Sequence, residues 1–64
     1  MLTDRELDVL RPVGRGFSNR EVAAELFVSD TTVKTHLSRV LTKLDRRDRN
    51  AAIVFAHDNR ILSS

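Results

Sequence analysis

The chain contains no cysteine, no tryptophan and no tyrosine, and its only aromatic residues are three phenylalanines. Without cysteine, disulfides and thiolate metal sites are excluded. Long apolar runs are missing too. The longest, Ala51 to Ala56, is bounded by charge and falls far short of a membrane span. Met1-Leu2 leads directly into a helix-capping pattern, not into a charged and then apolar leader. No alternation with period two lasts long enough for a strand. One proline and two glycines leave few backbone breaks. What remains is one small domain, 1–64, whose core is marginal and which commonly needs help from a partner.

Catalytic equipment is also lacking. His36 and His57 have no plausible partner set, and no carboxylate–histidine cluster has metal-ligand spacing. Gly14-Arg15-Gly16 is too short for a phosphate loop and follows a helical pattern, not a strand. The chain is therefore expected to be no enzyme and to hold no metal or cofactor.

Net charge is only +2, but it is divided unevenly. Residues 1–30 carry four basic and six acidic side chains, whereas residues 31–64 carry seven basic and three acidic ones. Such a basic second half suits a polyanionic partner.

Helix starts recur with regularity. Thr3-Asp4-Arg5-Glu6 is a capping box, with Leu2 and Leu7 at hydrophobic-staple spacing around it. Ser18-Asn19-Arg20-Glu21 repeats the box, and Phe17 and Val22 repeat the staple. Ser29 and Asp48 stand as N-caps for two more helices. Gly14 and Gly16 end the first helix, and Asp45 to Arg47 form a charged connector after the third. These signals predict an all-α, four-helix domain with helices over 4–14, 19–26, 30–44 and 49–58. Pro12 lies inside the first of them and predicts a kink or an early end near Arg11.

Helix 30–44 has two unlike faces. Val33, Leu37, Val40, Leu41 and Leu44 form an aliphatic stripe, while Thr31, Thr35, Ser38 and Thr42 lie opposite with Arg39 at the edge. Glutamate, lysine or alanine would make a better solvated helix, so a hydroxyl strip is a local departure that suggests a use. A short helix, a tight turn and a longer basic helix are the ingredients of a helix-turn-helix. In that motif the second helix enters the DNA major groove, where short side chains let the backbone approach the base edges. Lys34 can reach guanine or phosphate, and Arg39 and Lys43 lie where the helix leaves the groove. The helix N-termini at Ser18, Asn19, Ser29 and Thr32 suit phosphate, although Asp30 would repel it.

The segments LTDRELDVL, GFSNREVAAELFVSDTTVKTHLSRVLTKL and RDRNAAIVFA together resemble the LuxR-type helix-turn-helix domain, the C-terminal effector domain of NarL/FixJ response regulators and quorum-sensing regulators. The likeness covers residues 2 to 58 and implies a four-helix domain with a central helix-turn-helix. It implies sequence-specific binding of double-stranded DNA as the effector domain of a bacterial transcription regulator, in the two-component manner, in the cytoplasm and on the nucleoid. Base readout would fall to Thr31, Lys34, Thr35 and Ser38. Phosphate contact would fall to Ser18, Asn19, Ser29, Thr32, Arg39 and Lys43. His36 stands at the family's TVKxH position as a packing or phosphate contact. Several relatives carry lysine where this chain has Thr31 and Ser38, so its target sequence is expected to differ from theirs. Pro12 replaces a usual aliphatic residue, and HDNRIL replaces a frequent glycine-leucine ending.

Family members bind as dimers, often through the fourth helix. Here Ala51 to Ala56 is apolar all round, which leaves Ala51, Ile53 and Val54, with His57, for a homodimer face. A receiver or sensor domain would normally precede. Two rival readings are promoter binding in the manner of sigma-factor region four and a protein-interaction bundle that never meets DNA. The helix predicted after Leu44 favours the LuxR type over the sigma type.

Overall fold

The computed structural model describes residues 2–61. Its elements are α1 (Asp4–Gly14), α2 (Asn19–Leu26), α3 (Asp30–Lys43) and α4 (Arg49–Asp58), and no strand occurs among the described residues.

Each predicted cap is present. In both boxes the hydroxyl accepts from the third helical N–H while that residue's carboxylate accepts from the cap N–H: Thr3 with Glu6 at 3.2 and 2.8 Å, Ser18 with Glu21 at 3.1 and 2.9 Å. Ser29 accepts from the Thr32 N–H at 3.1 Å, and Asp48 from the Ala51 N–H at 2.9 Å. These contacts satisfy donors that helix geometry leaves without intrahelical partners.

Pro12 does not end α1 near Arg11, as expected; the helix continues to Gly14. The proline removes a single donor, and its own carbonyl is used twice, accepting from the Arg15 and Phe17 N–H groups at 3.0 Å each. Pro12 is buried, so its ring joins the core side of the helix. At its far end α3 stops at Lys43, one residue earlier than predicted.

All four helices then close in the same way. A residue one or two positions past the end turns left-handed, at Gly16 (φ 91°), Phe27 (φ 58°), Asp45 (φ 55°) and Arg60 (φ 56°). In each case the next N–H reaches back five residues, from Phe17 to Pro12, Val28 to Ala23, Arg46 to Leu41 and Ile61 to Ala56. This is the Schellman closure, in which glycine is the usual left-handed residue. Only the first of the four uses glycine.

The core has two lobes that share α1 and α3. Val9, Val13, Val22, Ala23, Val33 and Leu37 unite α1, α2 and α3, with Phe17, Leu26, Val28 and Ile53 packed at the margin. Leu10, Val40, Ala52 and Ala56 unite α1, α3 and α4, with Leu2, Leu44, Phe55 and Ile61 around them. Leu41 touches both lobes. Burying each valine or leucine of these lobes contributes about 1.5–3 kcal/mol, and each alanine less. The aliphatic stripe of α3 is thereby consumed, and the angle between α2 and α3 is set by Val22, Ala23, Val33 and Leu37.

Candidate nucleic-acid interface

With its stripe buried, α3 must turn its other face outward. Thr31, Lys34, Thr35, Ser38, Arg39 and Thr42 are all exposed there, and Thr32 and His36 are half-buried at the border. Lys34 and Arg39 make no ion pair among the described residues, which leaves two cations unneutralised on this face.

The hydroxyls are not equivalent. Thr35 donates to the Thr31 carbonyl at 3.0 Å and Thr42 to the Ser38 carbonyl at 3.1 Å. Their hydrogens are thus committed within the helix, and what remains for a partner is an acceptor oxygen and a methyl. The Thr32 hydroxyl is paired with that of Ser29 at 2.9 Å, inside the cap.

Lys43 is placed apart from this set. Its ammonium lies 2.8 Å from Glu6 Oε1, tying the end of α3 to the start of α1. Glu6 is the one buried charged residue among those described. The Lys43 hydrogen bond, followed by the one from the Thr3 N–H, lowers its pKa from 4.5 to about 2.

The N-terminus of α2 carries Ser18 and Asn19. Glu21 takes the Ser18 N–H, and that bond holds its carboxyl below the usual glutamate range. Asn19 is half-buried, and its Oδ1 accepts from Arg49 at the first position of α4. The other amino group of Arg49 donates to the Phe17 carbonyl. Arg49 gave no signal in the sequence, because its partners lie 30 and 32 positions away.

The predicted self-association residues divide. Val54 is 57% exposed. Ala51 is half-buried, and Ile53 leans into the first core lobe. His57 is exposed but tethered, its Nε2 lying 2.9 Å from the Gly14 carbonyl.

Residues 1–56 match the family described as bacterial regulatory proteins, luxR family. Over 62 residues, 97% of this chain, the sequence is 45% identical to the transcriptional regulatory protein LiaR of Bacillus subtilis (strain 168), of which it covers 29%. It is 39% identical to the response regulator protein VraR of Staphylococcus aureus (strain NCTC 8325 / PS 47), covering 97% of this chain and 30% of that protein. The fold matches a crystal structure of the response regulator ChrA, from a heme-sensing two-component system, with a TM-score of 0.85 and 44% identity over 97% of this chain and 31% of that one. The chain thus spans about a third of the length of the relatives it matches.

Proposed function

The chain belongs to the luxR family of bacterial regulatory proteins, and we propose that it regulates transcription by binding duplex DNA in a sequence-specific manner, as the effector domain of a longer response regulator. The observation that carries this reading is the outer face of α3, where short hydroxyl side chains surround two cations that form no ion pair among the described residues. A helix with that surface can lie deep in the major groove.

Thr31, Lys34, Thr35 and Ser38 face the base edges. Lys34 has donors only and selects acceptors, which guanine O6 and N7 supply. Arg39, Asn19 and the N-terminal N–H groups next to Ser18 and Ser29 set register on the phosphates. Thr32 serves mainly by closing the α3 cap. Lys43 is held by Glu6, which offsets its charge, and it anchors α3 to α1. No step of chemistry is involved: affinity comes from charge and specificity from base contacts.

Two copies pair through α4 around Val54, with Ala51, Ile53 and His57 beside it, and read half-sites about one helical turn apart. A receiver or sensor domain occupies part of the remaining two-thirds of the full protein and governs that pairing, in the bacterial cytoplasm and on the nucleoid.

Selection from a pool of random duplexes, at low and at near-physiological salt, tests the proposal. An enriched two-part motif is the expected result. Binding without enrichment that disappears at the higher salt would leave only the non-specific electrostatic term and defeat it.

A further inference from the structure

We infer that Arg49 is a positioning residue for DNA-backbone contact, acting through Asn19; the inference rests on the DNA-binding reading above. The backbones of α2 and α4 do not approach each other closely. Among the described residues, the side chain that joins them by hydrogen bonds is Arg49, whose guanidinium donates to Asn19 Oδ1 and to the Phe17 carbonyl. A guanidinium offers several donors in a fixed planar fork, so it can hold both acceptors at once.

The consequence lies in the asparagine. A carboxamide has an accepting end and a donating end, and on a surface it can turn either way. With Oδ1 engaged by a permanent cation, the amino end of Asn19 is the one left over. Asn19 opens α2, where the helix dipole and free backbone N–H groups already favour an anion. Arg49 therefore makes this corner a donor. Turned over, the same side chain would set an oxygen against phosphate.

The charges around the corner agree. Glu21 is occupied by the Ser18 N–H and lies on the capping side. Arg20 is exposed next in sequence, and Arg15 stacks over the Phe17 ring at 5.3 Å. Arg49 also opens the helix proposed for self-association. Pairing of two copies through α4 would therefore steady a backbone contact on α2.

The test uses the 64-residue chain, the duplex recovered by selection and an unrelated duplex. Arg49→Met and Asn19→Ala are each expected to weaken binding to both duplexes by a similar factor, about five- to tenfold, the net contribution of one solvent-accessible hydrogen bond. The double variant is expected to bind no worse than Asn19→Ala alone. Asn19→Asp is expected to keep its bond to Arg49 and its thermal stability, yet to bind both duplexes more weakly than Asn19→Ala. Multiplying effects in the double variant would overturn the inference. So would a lowered Tm of Arg49→Met with unchanged affinity, or Asn19→Asp binding like the parent. If Arg49→Met does not fold, the two Asn19 variants decide, because both retain Arg49. Loss of Lys34→Ala binding alongside a silent Asn19→Ala would sink the role of Arg49 and leave DNA binding standing, whereas a parent chain that binds neither duplex would sink both.

Discussion

Lys43, at the last position of α3, lies 2.8 Å from the buried carboxylate of Glu6 on α1, and the same oxygen accepts the Thr3 cap N–H at 2.8 Å. One carboxylate thus closes a helix cap and fastens α3 to α1. Its pKa is lowered to about 2, so the native state releases this proton far more readily than the unfolded chain does. The resulting stabilisation is complete above pH 4.5 and fades as pH falls toward 2. Glu21, lowered by its own cap, adds to the same acid limb. Glu6→Gln is expected to lower Tm at neutral pH and to flatten the fall of Tm between pH 5 and pH 2, roughly the interval set by the two pKa values. Thermal melts of both proteins across that range check it. An acid limb of undiminished slope would show that Glu6 is not its main source.

Phe27 is 94% exposed and left-handed at φ 58°. A side chain in this region costs about 1–2 kcal/mol that glycine does not incur, and Phe27 has almost no packing to lose. Phe27→Gly is therefore expected to stabilise the domain by about 1 kcal/mol, after glycine's greater unfolded-state entropy is subtracted. Urea unfolding measures it directly. A destabilised variant would mean that the ring makes contacts its exposure does not reveal.

The helix starts were readable because capping is local: Thr3 with Glu6, Ser18 with Glu21, and the lone caps Ser29 and Asp48 lie within three residues of what they bind. The outer face of α3 was readable by the same logic, since period and residue type determine which side is buried. The helix ends were read to within one residue, but the way each helix closes was less legible. Phe27, Asp45 and Arg60 adopt a conformation associated with glycine, and only backbone bonds to a carbonyl five residues back reveal it. The early end expected at Pro12 does not occur for a related reason, because a proline's cost depends on whether the neighbouring carbonyls find other donors. The ties that hold the interface together, Lys43 to Glu6 and Arg49 to Asn19, span 37 and 30 positions and leave no mark on periodicity or composition.

Lys34 and Arg39 are both exposed and form no ion pair among the described residues, yet the proposed interface assigns them to different terms of the binding energy. Lys34 lies in the first turns of α3, where the helix would meet base edges. Lys34→Ala is expected to cost about 1–3 kcal/mol on the selected duplex and much less on unrelated ones. Arg39→Ala is expected to weaken all duplexes alike and to reduce the slope of log affinity against log salt by about 1. Titrations at several salt concentrations separate the two. A sequence-selective loss for Arg39→Ala would move it from the phosphates to the bases.

Val54 is the most exposed aliphatic side chain of α4, on a helix whose Ala52 and Ala56 are fully buried. An exposed valine tolerates a charge without disturbing the core, so Val54→Asp is expected to change Tm little. In a pair of like copies related by a two-fold axis, the same substitution sets two carboxylates near each other in an apolar contact. The expected result is loss of the doubly occupied complex on a two-half-site duplex, with binding to a single half-site retained. Sedimentation of the protein–DNA mixture distinguishes one bound copy from two. A variant that still fills both half-sites with undiminished cooperativity would place the self-association surface elsewhere than the Val54 face of α4.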